Sequence, residues 1–205
     1  MKFITLSGVD GSGKSTQLTL LKEKLERENW NVAYFHAVEF SLADRMTRFF
    51  KRQGSFEPGK EKAITQASPF FLILRQKLFL IDILRFRCLL RKLKKENCDY
   101  LLSDRTFYDS FINIEYLAVK RQPRFVFWKL MMKVVKNILP KSDVAFYLNI
   151  SPDAILLRNR APEQGAEYLR DKTNLFKQKI SDWNLIVIDA NRDKETIFQD
   201  ISTKI

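Results

Sequence analysis

The sequence predicts a parallel α/β sheet flanked by helices, and two observations carry that prediction. Short apolar runs alternate with helix-period stretches along the chain, the order expected when each strand is followed by a crossover helix. The first run, Phe3, Ile4 and Leu6, leads into Gly8-Val9-Asp10-Gly11-Ser12-Gly13-Lys14-Ser15 and then an amphipathic helix. That is G-x-x-x-x-G-K-[ST] in its strand–loop–helix setting. Together these predict a three-layer P-loop NTPase fold with a five-stranded parallel sheet, in one domain over residues 1–205.

Each residue type in the loop has a physical reason. Gly8, Gly11 and Gly13 permit backbone angles and close approaches that a Cβ would block. The loop amides and the helix N-terminus then converge on an anion. Lys14 is a point charge for the β- and γ-phosphates, and Ser15 offers a hydroxyl to Mg2+. Gly8, Asp10, Gly11, Ser12, Gly13, Lys14, Ser15 and Thr16 are therefore the expected ATP-binding stretch.

The remaining elements follow in order. The first helix should run to about Glu28, and Asn31 to Phe35 reads as a second strand. Ser41 is placed to cap a helix running to about Arg52, with Arg45, Arg48 and Arg52 on one face. Gly54 to Lys62, with Pro58-Gly59, is the strongest loop signal. A long helix is expected from Pro69 to Lys95, then a short buried strand, Tyr100 to Ser103. Asp104-Arg105 stands at that strand's C-terminal end, where ligands bind in parallel sheets. Helices are expected from Tyr108 to Lys120 and from Arg124 to Leu139, the second with a Lys129, Lys133, Lys136 stripe. Val144 to Ile150 is a strand, and Ser151-Pro152 caps the next helix, expected to break near Arg160. A helix over Gln164 to Ile180, a strand over Leu185 to Ile188 and a closing helix complete the chain.

Composition narrows the function classes. Of 205 residues, 45% are hydrophobic and 29% charged, as in ordinary globular domains, and the 17 Phe predict an aromatic core. Cys88, Cys98 and the sole histidine, His36, lack zinc-ligand or Cys–His catalytic spacing, so the thiols read as reduced and the protein as cytoplasmic. No targeting segment is expected ahead of the loop, and the longest uncharged stretch, Ala63 to Leu74, is too short to span a bilayer. The net charge of +12 favours anionic partners. Nucleotides fit it, and no zinc-finger, RNP or basic-zipper pattern points to specific nucleic-acid binding. The lysine stripe leaves an anionic membrane surface as a weaker option.

Three groups should meet the phosphates: Lys14 with Ser15, Asp104 one strand over, and Arg158 with Arg160 on a mobile flap. Asp104 could hold Mg2+ or steer the attacking group, alongside a helix-capping role.

These residues carry a family resemblance. Gly8 through Gln17 resembles the signature of thymidylate kinases, with an Asp inside the loop. Leu101-Leu102-Ser103-Asp104-Arg105-Thr106 with Ser110 is similar to that family's Asp-Arg motif. Ser142 to Pro152 with Arg158 resembles its fourth strand and lid, the lid falling at about 152–168. The resemblance implies transfer of the ATP γ-phosphoryl group to a nucleoside monophosphate, most simply dTMP. It implies Asp10 for the acceptor's sugar hydroxyl and Arg105 for its phosphate. It further implies Phe71 and Arg75 for the base, with Arg85 a rival to Arg75, and it is compatible with a homodimer.

The departures concern the acceptor. The family's Arg-Glu-Pro after the second strand is replaced by His36-Ala37-Val38-Glu39-Phe40, leaving Arg45 or Arg48 as substitutes. Asn149 stands where an Asp is usual, and the lid lacks an Asp-Arg pair. A kinase for a deoxynucleoside or other small acceptor is therefore a second reading. A nucleotide-binding regulatory or membrane-surface protein with little kinase activity is a third.

Overall fold

The computed structural model describes residues 1–42, 69–120, 138–157 and 165–205. Strand β1 (Lys2–Ser7) is followed by α1 (Lys14–Arg27), β2 (Val32–His36) and a single helical turn, α2 (Ala37–Phe40). After the first undescribed segment come α3 (Pro69–Lys95), β3 (Tyr100–Asp104) and α4 (Phe107–Lys120). Then follow β4 (Val144–Asn149), α5 (Pro152–Leu156), α6 (Gly165–Lys179), β5 (Ile186–Asp189) and α7 (Lys194–Ser202). The five strands form one all-parallel sheet in the order β2-β3-β1-β4-β5, flanked by helices, which is the P-loop kinase fold.

The sheet is apolar because it is covered on both faces. Ile4, Leu6, Leu101, Leu102, Phe146 and Leu148 are completely or almost completely buried. Helix α1 turns Leu18, Leu21 and Leu25 into this core, a spacing of three and four that keeps one stripe inward. The aromatic core predicted from composition is present. Phe86 of α3 packs its ring against Phe3, Phe35 and Phe107 at centroid separations of 5.4, 4.6 and 5.2 Å. These tilted and edge-on contacts suit aromatic rings and tie α3 to three other parts of the fold. Both cysteines are free thiols, Cys88 exposed and Cys98 buried. Among the described residues no helix is long and apolar enough to cross a membrane.

The sequence places most elements within a residue or two of where they lie, with three differences. A helical turn precedes Ser41, which is its C-cap, with its amide donating to the Ala37 carbonyl at 3.0 Å; Leu42 after it is helical, and the rest of the helix expected to about Arg52 lies outside the described residues. The turn forms because Asp82 and Arg85 of α3 hold its end. Asp82 accepts from the Leu42 amide at 2.9 Å, and Arg85 donates to the Phe40 carbonyl at 3.0 Å while pairing with Asp82 at 2.6 Å. The second difference lies after β4. Ser151 caps α5 as expected, its Oγ accepting from the Ala154 amide at 3.2 Å, but α5 ends at Leu156, before Arg160. The third is β3, which continues through Asp104 because its ladder to Leu6 and His36 extends that far. The loop at Gly54 to Lys62 and the stripe of Lys129, Lys133 and Lys136 lie outside the described residues, and of the helix expected over Arg124 to Leu139 only Ile138 and Leu139 are described.

Candidate functional site

The site is built where β1 and β3, adjacent in the sheet, both end. At the end of β1 the chain turns through the phosphate loop, and two glycines make the turn possible. A Cβ on Gly8 would stand 2.9 Å from Ser12 Oγ and 3.0 Å from the Leu148 carbonyl oxygen, at a φ of +152°. Gly13 has open space around it, but its φ of +93° is one that L side chains rarely adopt. Gly13 is also the residue at which α1 begins, and no side chain caps that helix. The first-turn amides of α1 therefore stay available to an anion at the positive end of the helix dipole.

Lys14 is buried and folds back over the loop. Its Nζ donates to the Gly8 carbonyl at 2.9 Å, the Val9 carbonyl at 2.8 Å and Ser12 Oγ at 3.3 Å. Burial lowers its pKa, and Arg105 adds to this, while Asp109, Asp10 and Asp104 pull the other way. Three oxygens of the loop thus satisfy the three hydrogens of the ammonium group.

The end of β3 brings Asp104 to the same place. Ser15 Oγ donates to Asp104 Oδ2 at 2.5 Å, Tyr34 of β2 donates to the same oxygen at 3.3 Å, and His36 Nε2 stands 4.0 Å away. Asp104 Oδ1 is buried and has no hydrogen-bond partner among the described residues. A buried carboxylate oxygen without a partner, beside a serine hydroxyl, is a donor set suited to a hard divalent cation such as Mg2+. Arg105, in the left-handed region at φ +64°, directs its guanidinium away from the strand to pair with Asp10 of the loop. Burial would raise the Asp10 carboxyl, but Arg105, Lys172 and Lys14 outweigh that and hold it below its ordinary value. Asp10 is an acceptor-only carboxylate.

Four sequence-selected groups thus converge: Lys14, the Ser15–Asp104 pair, Asp10 and Arg105. Arg85, the rival for a base-reading role, is engaged with Asp82, with the Phe40 carbonyl, and with the Phe40 ring at 4.3 Å. Phe71 and Arg75 fall on the first two turns of α3. Arg45, Arg48, Arg158 and Arg160 lie outside the described residues.

Three further residues reach the site without having been selected from sequence. Asp109, buried near the start of α4, accepts from Ser7 Oγ at 2.7 Å, the Thr106 amide at 3.0 Å and the Gly8 amide at 3.5 Å. It joins the end of β1, the first amide of the loop and the start of α4. Its signal in the sequence is the capping pattern Thr106-x-x-Asp109, with Thr106 Oγ1 accepting from the Tyr108 amide at 3.1 Å. The other two, Tyr168 and Lys172, come from α6. That helix packs on α4 through the Tyr116–Tyr168 edge contact at 5.3 Å and the Glu115–Lys179 ion pair at 3.6 Å. Lys172 Nζ donates to Tyr168 Oη at 2.8 Å. Burial pushes the amine down to about 8, with Asp10 opposing and Arg105 adding to the shift. Burial likewise raises the Tyr168 phenol, and the negative charge of Asp10 raises it further.

No protein-family model matches the chain. Curated relatives do, over nearly their whole length. A "Probable thymidylate kinase" of Methanosphaera stadtmanae is 26% identical over 206 residues, covering 99% of this chain and 96% of the relative. The "Thymidylate kinase" of Leptospira interrogans is 28% identical, with 97% and 90% covered. Over nearly its whole length the chain is similar to thymidylate kinases, at modest identity. A third relative, "Probable thymidylate kinase 1" of Saccharolobus solfataricus, is 25% identical with 97% and 93% covered. The buried Lys172 amine carries an energetic consequence of its own.

The folded-state pKa of Lys172 lies below its ordinary 10.5, so between about 8 and 10.5 the unfolded chain binds more protons. Stability contributed by this group therefore rises with pH across that window and is lowest below it. Lys172→Met is expected to be more stable than wild type at pH 7 by about 1–3 kcal/mol. That difference should shrink as pH rises from 8 to 10.5, measured by denaturant unfolding of both proteins in parallel. A difference independent of pH would contradict the buried-amine account.

Proposed function

We propose that this protein transfers the γ-phosphoryl group of ATP to a nucleoside monophosphate, with dTMP as acceptor and dTDP as product. The observation that carries this reading is the meeting of two pairs at adjacent strand ends. Ser15 with Asp104 lies on the donor side, and Asp10 with Arg105 on the acceptor side, with Lys14 in the loop between. The names of the relatives and their full-length coverage support it.

In this reading the whole chain is one kinase domain, with its lid at about 152–168. Gly8, Gly11, Ser12, Gly13 and Thr16 wrap the triphosphate with Lys14. Lys14 leaves the Gly8 and Val9 carbonyls to neutralise the β- and γ-phosphates. Ser15 and Asp104 would hold Mg2+, which when bound supplies charge neutralisation to the phosphates. Asp10 accepts from the acceptor's sugar hydroxyl. Arg105 binds the acceptor phosphate, and Phe71 and Arg75 serve the base. Arg45 supplements the phosphate contact, and Arg158 with Arg160 close over the reacting groups. Catalysis comes from positioning and electrostatics, since phosphoryl transfer asks little covalent chemistry of the protein.

A second reading, phosphorylation of a deoxynucleoside or similar small acceptor, is favoured by one specific feature. The five residues after the second strand's Phe35, His36-Ala37-Val38-Glu39-Phe40, contain no arginine, and Arg85 is engaged with Asp82 and Phe40. A neutral acceptor needs no phosphate clamp. Purified protein with MgATP is assayed against dTMP, dUMP, UMP and thymidine by coupled ADP release. The proposal expects kcat/KM for dTMP at least tenfold above the others. Turnover of thymidine without turnover of dTMP would replace it with the second reading.

A further inference from the structure

His36 ends β2 in the sheet position directly beside Asp104, and the ladder that pairs the two residues turns both side chains to the same face. Its Nε2 stands 4.0 Å from Asp104 Oδ2, too far for a hydrogen bond. Its Nδ1 is buried and has no hydrogen-bond partner among the described residues, and the same is true of Asp104 Oδ1. Buried polar atoms of this kind are few in folded proteins and call for a partner. No step of the phosphoryl transfer above uses the imidazole.

An imidazole nitrogen and a carboxylate oxygen share one property: each offers a lone pair to a metal ion. Two ligands bound at about 2.1 Å to one ion stand about 3–4 Å apart, and these two groups are spaced within that span. Ser15 Oγ, 2.5 Å from the same Asp104 oxygen, adds an oxygen donor. Among the described residues no group of three or more His, Cys, Asp or Glu side chains gathers to hold a metal. The protein therefore offers an open site rather than a closed cage, with positions left for phosphate oxygens and water. The His36 side chain is 30% exposed, so an ion can reach it from solvent. Mg2+ prefers oxygen alone, whereas imidazole suits borderline cations such as Co2+ and Zn2+.

We propose that His36 is a ligand of the cation held at Asp104 and Ser15, which makes this a mixed nitrogen–oxygen site that takes Co2+ or Zn2+ more tightly than Mg2+. This rests on the kinase reading above, in which the ion is shared with a triphosphate. It goes beyond that reading by adding a ligand from β2 and by naming the class of cation. The juxtaposition comes from the strand register, so ligand spacing along the sequence does not show it.

The test exploits His36 being the only histidine of the chain. The untagged full chain, labelled with nitrogen-15 histidine and mixed with inorganic tripolyphosphate in place of ATP, shows a single imidazole by NMR. The expected result on adding an equivalent of Zn2+ is movement of one ring nitrogen to the position of a metal-bound imidazole. Asp104→Asn, shown to be folded by its melting curve, should need at least about tenfold more Zn2+ for the same shift. His36→Gln, which puts an oxygen donor where the nitrogen was, should lose Co2+ affinity about tenfold and keep Mg2+ affinity within about threefold, by calorimetry. A wild-type imidazole that Zn2+ leaves unmoved overturns the proposal. So does the same shift at the same Zn2+ concentration in folded Asp104→Asn, which means an adventitious ion only, or equal losses of Co2+ and Mg2+ affinity in His36→Gln. If either variant does not fold, the wild type decides. Mg2+ should then displace Zn2+ from His36 only at about a hundredfold excess or more, and displacement by equimolar Mg2+ overturns the proposal. None of these readouts involves an acceptor or turnover. A protein that binds Zn2+ at His36 without transferring phosphate removes the kinase reading alone, and an active kinase with an unmoved imidazole removes the proposal alone.

Discussion

Replacing Lys14 by methionine is expected to lower kcat about a thousandfold or more while leaving the melting temperature within a few degrees of wild type. The two halves of this expectation come from one geometry. In the folded protein the amine is held by the Gly8 and Val9 carbonyls and Ser12 Oγ, all within the same turn of chain. Methionine keeps the length and apolar stem of the side chain and removes a charge whose burial is unfavourable, as its lowered pKa records. The lost hydrogen bonds offset that gain, so folding changes little. Catalysis has no such compensation. Charge moving on the transferring phosphoryl group needs a fixed cation in a dry site, and a thousandfold loss corresponds to about 4 kcal/mol of transition-state stabilisation. Steady-state kinetics and calorimetry on the same preparation check both halves. A variant with more than a tenth of wild-type kcat would contradict the role given to Lys14.

The second large effect is expected at Asp104. Asp104→Asn should lower kcat about a hundredfold and raise the Mg2+ concentration for half-maximal rate at least tenfold. Asparagine preserves the shape of the side chain and can still accept from Ser15 Oγ and Tyr34 Oη through its carbonyl oxygen. It loses the negative charge and turns the Oδ1 position, buried and unpartnered among the described residues, into either an amide donor or a neutral acceptor. Neither suits a hard cation as well as a carboxylate. The discriminating readout is the Mg2+ titration. A fall in kcat with an unchanged Mg2+ requirement would assign Asp104 to steering the attacking group instead.

These predictions concern residues that were legible in the sequence, and the reason is local. Gly8, Gly13, Lys14 and Ser15 act within a few residues of one another, so spacing alone carries the chemistry. Asp104 was legible because a parallel strand delivers its last residue to the ligand edge. Pro69–Lys95 was legible because its helical period is long and uninterrupted.

What stayed hidden depends on contacts across the chain. Tyr168 and Lys172 approach Asp10, more than 150 positions away in sequence, only because α6 packs on α4. The sequence showed Lys172 as one more basic residue in a chain of net charge +12. Asp109 was readable as a helix cap, but its bond to Ser7 requires the β1–β3 register. Arg85 invited a binding role because position on a helix face does not reveal a partner. Its pairing with Asp82, three residues earlier, was the available hint. The turn at Ala37–Phe40 was missed for a related reason, since the groups that hold its end belong to α3.

The central claim is that the phosphate loop and the Asp10–Arg105 pair serve one transfer, from ATP to a nucleoside monophosphate. Phosphorus NMR of the purified protein with MgATP and dTMP follows every phosphate in that transfer at once. The account predicts resonances of ADP and dTDP growing together in equal amounts as ATP and dTMP decline. ATP converted to ADP and inorganic phosphate with dTMP unchanged, or ATP left intact, would contradict it.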